Sequence, residues 1–310
     1  MGRGPTLPAV AGAVALTGAA ALAWASLVEV RWFTLRRVAV PVLAPGQRPL
    51  RVLHLSDLHL TPHQDEKIAW VRRLADLEPD LVIDTGDNMA HVEALAPLLH
   101  ALEPLMALPG AFVMGSNDYY APVPKNPARY LRADPRGTRV SEHVHLPAGP
   151  LGAALREAGW KDLTNRRDTV LADGRTISLV GVDDPHLDRD RFPGNLHPYR
   201  ADIDLRLGVA HAPYQRVLDA MHGDGAQLVL AGHTHGGQLC VPGWGALVTN
   251  CDLDARRAKG LHGWPGPRPD TPEGAGSTWL HVSAGLGTSP YAPVRFACRP
   301  EATLLTLVAR

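Results

Sequence analysis

The sequence predicts an α/β fold that begins with a largely parallel sheet. Two observations support this prediction. Short apolar segments alternate three times with segments of helical periodicity, and polar residues follow each apolar segment. At 310 residues the chain is long enough to bury a sizeable core. Ligands bind at the carboxyl ends of strands in such sheets, so the polar residues after the strands form the candidate site.

An uncharged apolar segment precedes this pattern. Residues 7–28 carry no charge, and about twenty residues suffice to cross a membrane as a helix. We predict an anchor over residues 1–30, a linker over 31–49 and the catalytic domain over 50–310. A cleaved signal peptide is the alternative for the anchor. Arginines are more numerous after the segment than before it, which favours a single-pass protein in the cell membrane with its domain on the cytoplasmic side.

Three strands alternating with two helices then follow in order. Leu50–Leu55 is short and rich in apolar residues, as is typical of a buried strand. Helical spacing predicts a helix over 66–77, which Pro79 follows. The same reasoning predicts further strands over 81–83 and 111–114, with a helix from Val92 to Leu105 between them.

The alternation of predicted strands and helices is interrupted near residues 119–150, which are rich in proline and lack periodicity. We therefore predict a surface insertion there. Beyond it, a helix is predicted over 151–158 and strands over 176–182, 205–210 and 227–230. The C-terminal third is predicted to be strand-rich, with a long loop over residues 243–276, which are rich in glycine and proline.

Seven polar residues at the predicted strand ends form the candidate metal site. They are Asp57, His59, Asp87, Asn117, His211, His233 and His235. Carboxylate and imidazole ligands without thiolate suit Mn, Fe or Zn. Seven ligands exceed the four of a tetrahedral zinc, so we predict two divalent metal ions. Two such ions are a common device for attack at phosphorus.

Four motifs in order support a family resemblance. They are Asp57-Leu58-His59, Gly86-Asp87, the isolated His211, and Gly232-His233-Thr234-His235. Together they resemble the D-x-H, G-D, H and G-H-x-H motifs of the calcineurin-like metallophosphoesterase superfamily. The apolar leader and the run G-H-T-H-G-G-Q resemble its bacterial membrane-associated branch.

The resemblance implies a four-layer αββα sandwich of two mixed sheets flanked by helices. It also implies how the ligands divide: Asp57, His59 and His235 on one metal, and His211 and His233 on the other. Asp87 is then expected between the metals. A metal-bridging hydroxide is the expected nucleophile toward a phosphoester.

One motif departs from the family pattern. The family usually has G-N-H-D or G-N-H-E after the third strand, whereas this chain has Gly115-Ser116-Asn117-Asp118. We expect the Asn117 carboxamide, rather than the Ser116 hydroxyl, to be the metal ligand. The usual histidine, which assists the leaving group, is missing. We expect His186 to replace it as a catalytic acid, ahead of His63 or Tyr119.

The predicted function is therefore metal-dependent phosphoric ester hydrolysis, by a phosphatase or phosphodiesterase, with a membrane-associated or lipid-like phosphoester as one candidate substrate. Lys+Arg and Asp+Glu are equal at 31 each, which argues against a general nucleic-acid binder. The departure at Ser116-Asn117 favours one alternative, a non-catalytic metal-binding scaffold or sensor in the membrane.

Overall fold

Two six-stranded sheets are stacked face to face, with helices on both outer faces. The structure is a computed structural model that describes residues 7–124, 144–194 and 202–310. This arrangement confirms the predicted four-layer αββα sandwich. The helices of the described ranges are α1 Leu7–Ala23, α2 Asp65–Arg72, α3 Leu95–Met106, α4 Ser116–Tyr119, α5 Ala148–Glu157 and α6 Gln215–Gly223. The strands are β1 Thr34–Leu43, β2 Leu50–Leu55, β3 Leu81–Asp84, β4 Gly110–Phe112, β5 Lys161–Asp162, β6 Arg167–Ala172, β7 Arg175–Gly181, β8 Leu205–Ala210, β9 Leu228–Ala231, β10 Cys240–Val241, β11 Gly245–Ala246, β12 Gly260–Trp264, β13 Thr278–Val282 and β14 Glu301–Ala309.

Both large sheets are mixed. The first has the strand order β1-β14-β2-β3-β4-β5, and its only antiparallel pair among the described strands joins β14 to β2. The second has the order β12-β13-β9-β8-β7-β6, and both of its outer strands are antiparallel to their neighbours. The central strands β2, β3 and β4 are parallel, as are β7, β8 and β9. Their carboxyl ends can therefore contribute side chains to one edge of the sandwich.

Apolar side chains fill the space between the sheets and the space under the helices. Along β2, Val52 belongs to the core between the sheets, whereas Leu53 belongs to the core beneath α2, α3 and α5. Successive residues of a strand point to opposite faces, so a strand buried on both faces is almost continuously apolar. Met221 of α6 packs on the outer face of the second sheet with Leu280 of β13.

The prediction of a linker over residues 31–49 is wrong for most of that range. Thr34–Leu43 is a ten-residue strand, β1, paired in parallel with β14 at the edge of the first sheet. Arg36, Arg37 and Pro41 interrupt the apolar pattern by which a strand is recognised. An edge strand tolerates these residues because one side of it makes no ladder hydrogen bonds.

The insertion predicted near 119–150 lies partly outside the described residues, which omit 125–143. Its two described ends are close together. The Ala121 N–H donates to the Val144 carbonyl, and the Leu146 N–H donates to the Tyr119 carbonyl, both at 2.8 Å. Helix α5 begins at Ala148, before the predicted end of the insertion.

The N-terminal segment is helical and mostly exposed. After Ala23, α1 continues through a π-helical turn and a 3₁₀ turn to Arg31. The span Gly12–Arg31 has 20 residues and a mean hydropathy of 1.7, with 11% of its most apolar window buried, so it is long and apolar enough to cross a membrane. The helix end is fixed to the domain by Glu29, whose buried carboxylate accepts the N–H of Cys298 at 2.6 Å and of Ala297 at 3.1 Å.

Candidate metal centre

The structure brings six of the seven predicted metal-binding side chains into contact at one edge of the sandwich. Each of the seven residues follows a strand: β2 precedes Asp57 and His59, β3 precedes Asp87, and β4 precedes Asn117. On the second sheet, β8 precedes His211, while β9 precedes His233 and His235. Residues nearly two hundred positions apart in sequence therefore meet because parallel strands end at the same edge.

The first donor group contains Asp57, His59 and His235. The Nε2 atoms of the two histidines are 3.2 Å apart. Asp57 Oδ1 lies 3.6 Å from His235 Nε2 and 3.9 Å from His59 Nε2. These three atoms converge closely enough to hold one metal ion.

The second donor group contains Asp57, Asp87 and His211, and His233 adjoins it. His211 Nε2 is 3.5 Å from Asp87 Oδ1 and 3.2 Å from His233 Nδ1. Asp87 also faces the first group, since its other oxygen, Oδ2, is 3.5 Å from His59 Nε2. One carboxylate thus presents a separate oxygen to each group of donors.

Hydrogen bonds from the outer ring nitrogens orient the histidines. His211 Nδ1 donates to the Thr85 carbonyl at 2.8 Å, and His235 Nδ1 donates to the Gly287 carbonyl at 3.1 Å. His233 Nε2 lies 3.2 Å from the Asn250 carbonyl. A ring that donates through one nitrogen presents a lone pair on the other, so these bonds select the tautomers that a metal requires.

A buried oxygen without a partner indicates that the site fits a cation. Asp57 Oδ1 has no hydrogen-bond partner within the described ranges, whereas Asp57 Oδ2 accepts bonds from Ser56 Oγ and, at 2.9 Å, from the His233 N–H. Buried carboxylate oxygens are costly unless paired. An oxygen-nitrogen donor set with a free carboxylate oxygen matches Mn, Fe or Zn and not a thiolate-dependent metal.

The backbone at the site is held in an unusual conformation. Five of the proposed ligands have positive φ angles: Asp57 (49°), His59 (41°), Asp87 (56°), His233 (68°) and His235 (50°). Residues with a Cβ rarely adopt this region, at a cost of order 1–3 kcal/mol each, and such strain clusters at functional sites. Gly115 lets the backbone come close, because a Cβ there would lie 2.7 Å from His211 Nδ1 and overlap the Asp87 carboxylate.

Burial keeps two of the imidazoles neutral. It lowers the pKa of His59 and of His235 to about 4, and the nearby Asp87 and Asp57 carboxylates only partly oppose this shift. Burial also opposes ionisation of Asp87, but His211 and His59 beside it hold the pKa of Asp87 below its usual range. At neutral pH the site therefore combines the Asp87 carboxylate with neutral His59 and His235 rings, which are the forms that bind metal. Burial also opposes a charge on His211, but the adjacent Asp87 carboxylate raises the pKa of His211 above its usual value.

Asn117 contacts Asp87 through its backbone, and its carboxamide nitrogen bonds outside the site. Its backbone N–H donates to Asp87 Oδ1 at 2.7 Å, and its side-chain nitrogen donates to the Tyr120 carbonyl at 3.0 Å. The prediction that its carboxamide oxygen is a ligand stays a prediction.

The three candidate acids differ in position. The His186 ring centroid is 4.6 Å from that of His233, and His186 Nδ1 is 3.0 Å from the Tyr214 hydroxyl. Tyr119 donates to Asp183 Oδ1 at 2.8 Å, and burial together with Asp183 raises the Tyr119 pKa above its usual value. His63 is exposed to solvent. Of the three, His186 is in ring contact with a proposed ligand.

Two supporting residues could not be identified as such from the sequence. Asp118 accepts three backbone N–H groups at 2.9 Å, from Asp87, Asn88 and Gly115. Arg295 is fully buried, and its guanidinium donates to the Gly287 carbonyl at 2.7 Å, the same carbonyl that orients His235. No local motif marks either role, because both depend on loops that are distant in sequence.

Asp118→Asn is expected to lower metal-dependent activity by about 10–100-fold, the usual effect of losing a residue that orients metal ligands. The two Asp118 oxygens accept three N–H groups, whereas asparagine would turn an NH₂ donor toward one of them. Metal titration followed by activity measurement checks this, with Asp168→Asn on the exposed edge strand β6 as a control. Unchanged metal affinity in Asp118→Asn would contradict the assigned role.

Comparison with known proteins agrees with the geometry. The calcineurin-like phosphoesterase family matches residues 50–237. Phosphodiesterase YaeI of Escherichia coli is 29% identical over 287 residues, covering 90% of each chain. A bovine transmembrane protein with a metallophosphoesterase domain is 28% identical, covering 88% of this chain and 56% of that one. The UDP-2,3-diacylglucosamine pyrophosphatase LpxG of Chlamydia trachomatis is 28% identical, covering 83% of each.

The family match includes every proposed ligand from Asp57 to His235 and more than half of the chain. The protein is therefore a member of the calcineurin-like phosphoesterase family and a metal-dependent phosphoric ester hydrolase.

Proposed function

We propose that the protein is a membrane-anchored phosphodiesterase with two divalent metal ions. One observation carries the dinuclear assignment: Asp87 presents Oδ2 to His59 and Oδ1 to His211, each at 3.5 Å. A carboxylate placed between two donor groups is suited to bridging two ions. Asp57, His59 and His235 would hold one ion, while His211, His233 and Asn117 would hold the other.

Two divalent ions in such a site activate water as a nucleophile at neutral pH and neutralise charge on the phosphate oxygens. The chain's own residues contribute the geometry. The carbonyls of Thr85 and Gly287 fix the rings of His211 and His235, and both His235 and Asp87 lie in loops with a left-handed backbone conformation. Because these side chains are already held in position, they need little rearrangement on the way to the transition state.

His186 is proposed to protonate the leaving-group oxygen. It packs against His233 and lies at the rim of the site, where it is half-buried. His186→Ala should lower turnover of an alkyl phosphodiester by about 10²-fold, within the range for general acid catalysis. A nitrophenyl diester should be much less affected, because nitrophenolate leaves without a proton.

The solvent-exposed His63→Ala is the matched control for His186→Ala. Equal losses on alkyl and nitrophenyl substrates would show that His186 has a structural role instead. A selective loss in His63→Ala would transfer the role to that residue.

The proposed substrate class is an amphiphilic phosphoester at a membrane surface. The helix Gly12–Arg31 supports membrane anchoring, as do the transmembrane relative and the relative named for a diacylated sugar nucleotide. We place the domain on the cytoplasmic side, because Arg31 at the end of the helix and Arg36 and Arg37 after it outnumber Arg3 before it.

The experiment for the proposed function is hydrolysis of a nitrophenyl phosphodiester by the metal-stripped full chain, before and after addition of Mn²⁺. Activity should appear with Mn²⁺ and disappear with a chelator. His233→Ala should lower it by about a hundredfold or more, since a metal ion contributes several kcal/mol to catalysis. His222→Ala, a half-buried histidine bonded to Thr278, is the control and should be active. Binding of metal without any turnover would favour the scaffold or sensor.

A further inference from the structure

The most exposed large apolar side chain in the described residues belongs to a short hairpin beside the metal centre. We call residues 239–247 the apolar hairpin; it contains β10 and β11. Trp244 near its tip is 80% exposed, and Leu247 is 62% exposed. Leu239 and Val241 are also exposed. A cluster of exposed large apolar side chains marks an interaction surface.

The apolar hairpin is attached directly to the metal-binding loop. It begins four residues after His235. A Cβ on Gly237 would overlap Ala246 of β11, and Cys240 Sγ lies 3.2 Å from the Gly236 carbonyl. The base of the hairpin therefore packs on the backbone that carries a proposed ligand.

The same hairpin is joined to the end of the N-terminal helix through one segment, residues 294–298. On one side of this segment, the Cys240 N–H donates to the Phe296 carbonyl at 2.8 Å, and the Phe296 N–H donates to the Gln238 carbonyl at 3.0 Å. On the other side, the Arg295 N–H donates to the Ala25 carbonyl at 3.0 Å. The hairpin and the helix end are thus held on neighbouring sides of a single loop.

Aromatic residues mark this region as a membrane interface. Trp24 and Trp32 at the helix end are each 43% exposed. Tyr291 is 58% exposed, and the carbonyl of its neighbour Ala292 accepts the Gln238 side chain at 2.9 Å. Exposed aromatic side chains are thus found both at the end of the helix and on the hairpin that is tied to it. Tryptophan and tyrosine are enriched at that depth of a membrane.

We propose that the apolar hairpin and Tyr291 insert into the headgroup region of the bilayer that the N-terminal helix crosses. Lipid-like phosphoesters then reach the His235 loop from the membrane side, without passing through water. A lipid bilayer is the expected occupant, because the hairpin is tied to a helix that is itself long and apolar enough to span the bilayer. The inference rests on the proposed membrane anchoring and phosphoesterase activity.

Insertion can be measured without using activity. The full-length variants Trp244→Cys and Leu171→Cys are labelled with bimane and reconstituted in phosphatidylcholine and phosphatidylglycerol vesicles. Leu171 is the matched control, because it is a large apolar side chain, 66% exposed, on strand β6 at the far edge of the second sheet. The three native cysteines are buried, and the labelled wild-type chain measures their background.

The label at position 244 should be quenched by nitroxide-bearing lipids and protected from aqueous iodide, and the label at position 171 should show the reverse. Equal iodide quenching at both positions would overturn the proposal. Protection from iodide without quenching by lipid nitroxide would indicate that a second protein copy covers the hairpin, and would also overturn it.

Activity provides the second test, with two substrates that share one reacting group. Nitrophenyl hexadecyl phosphate in vesicles and soluble nitrophenyl ethyl phosphate differ only in alkyl chain length. Trp244→Ser should lower turnover of the hexadecyl ester by about tenfold, the equivalent of losing one buried aromatic contact, and leave the ethyl ester unchanged. Equal effects on both esters would contradict the proposal. If the wild-type chain hydrolyses neither ester, the proposed function fails, and the quenching result still decides insertion.

Discussion

Replacing Asp87 with asparagine is expected to reduce phosphodiester hydrolysis by about 10³-fold or more, because the change removes several kcal/mol of transition-state stabilisation. Asp87 presents one oxygen to each donor group, and an asparagine can offer only one oxygen to a metal. The protein should remain folded, since the two side chains have nearly the same shape. Steady-state kinetics with added Mn²⁺ and metal analysis of the purified variant check this expectation.

Asp219→Asn is the matched control for Asp87→Asn. Asp219 also accepts a hydrogen bond, from Trp264 Nε1 at 2.9 Å, but lies on α6 and is not among the proposed ligands. It should retain full activity and metal content. An Asp87→Asn variant that kept both its metals and its activity would remove Asp87 from the proposed bridging position.

Replacing Arg295 with methionine is expected to destabilise the protein by about 3 kcal/mol or more, because four buried carbonyls lose a charged donor. The guanidinium donates to the carbonyls of Ala284 (2.7 Å), Gly285 (3.0 Å), Gly287 (2.7 Å) and Cys298 (3.3 Å). Metal affinity should fall as well, since Gly287 orients His235. Denaturant unfolding of the full chain in mild detergent measures the first effect, and metal titration measures the second.

Two further variants make this prediction specific. Arg256→Met removes an exposed arginine whose partner is Asp254, and should change stability by less than about 0.5 kcal/mol. Arg295→Lys keeps the charge but loses the planar set of donors, so it should retain only part of the stability. A stability loss in Arg295→Met no larger than in Arg256→Met would disprove the role assigned to the buried guanidinium.

The fold class and the position of the candidate site at the strand ends could be predicted because both depend on short-range patterns. Alternating apolar and helical segments indicated the parallel strands, and polar residues after each strand indicated where the site lies. Aspartate is common in turns, and it was the position of Asp57, Asp87 and His211 after strands that made them candidates. The structure places these side chains at one edge of the sandwich.

Other features could not be predicted, because they depend on contacts between distant segments. Strand β12 lies within a segment rich in glycine and proline that predicted a loop, and it is a strand because β13 pairs with it. Strand β1 is stabilised by β14, more than 250 residues later in the chain. The role of Arg295 cannot be predicted from its neighbours in sequence, because the backbone carbonyls that accept its hydrogen bonds come together only after folding.

Anomalous diffraction from crystals of the Mn²⁺-loaded full-length protein shows directly whether two ions share Asp87. We expect two peaks at the carboxyl ends of the strands, one bound by Asp57, His59 and His235 and one by His211 and His233, with Asp87 bound to both. A single peak, or peaks that Asp87 does not contact, would contradict this expectation.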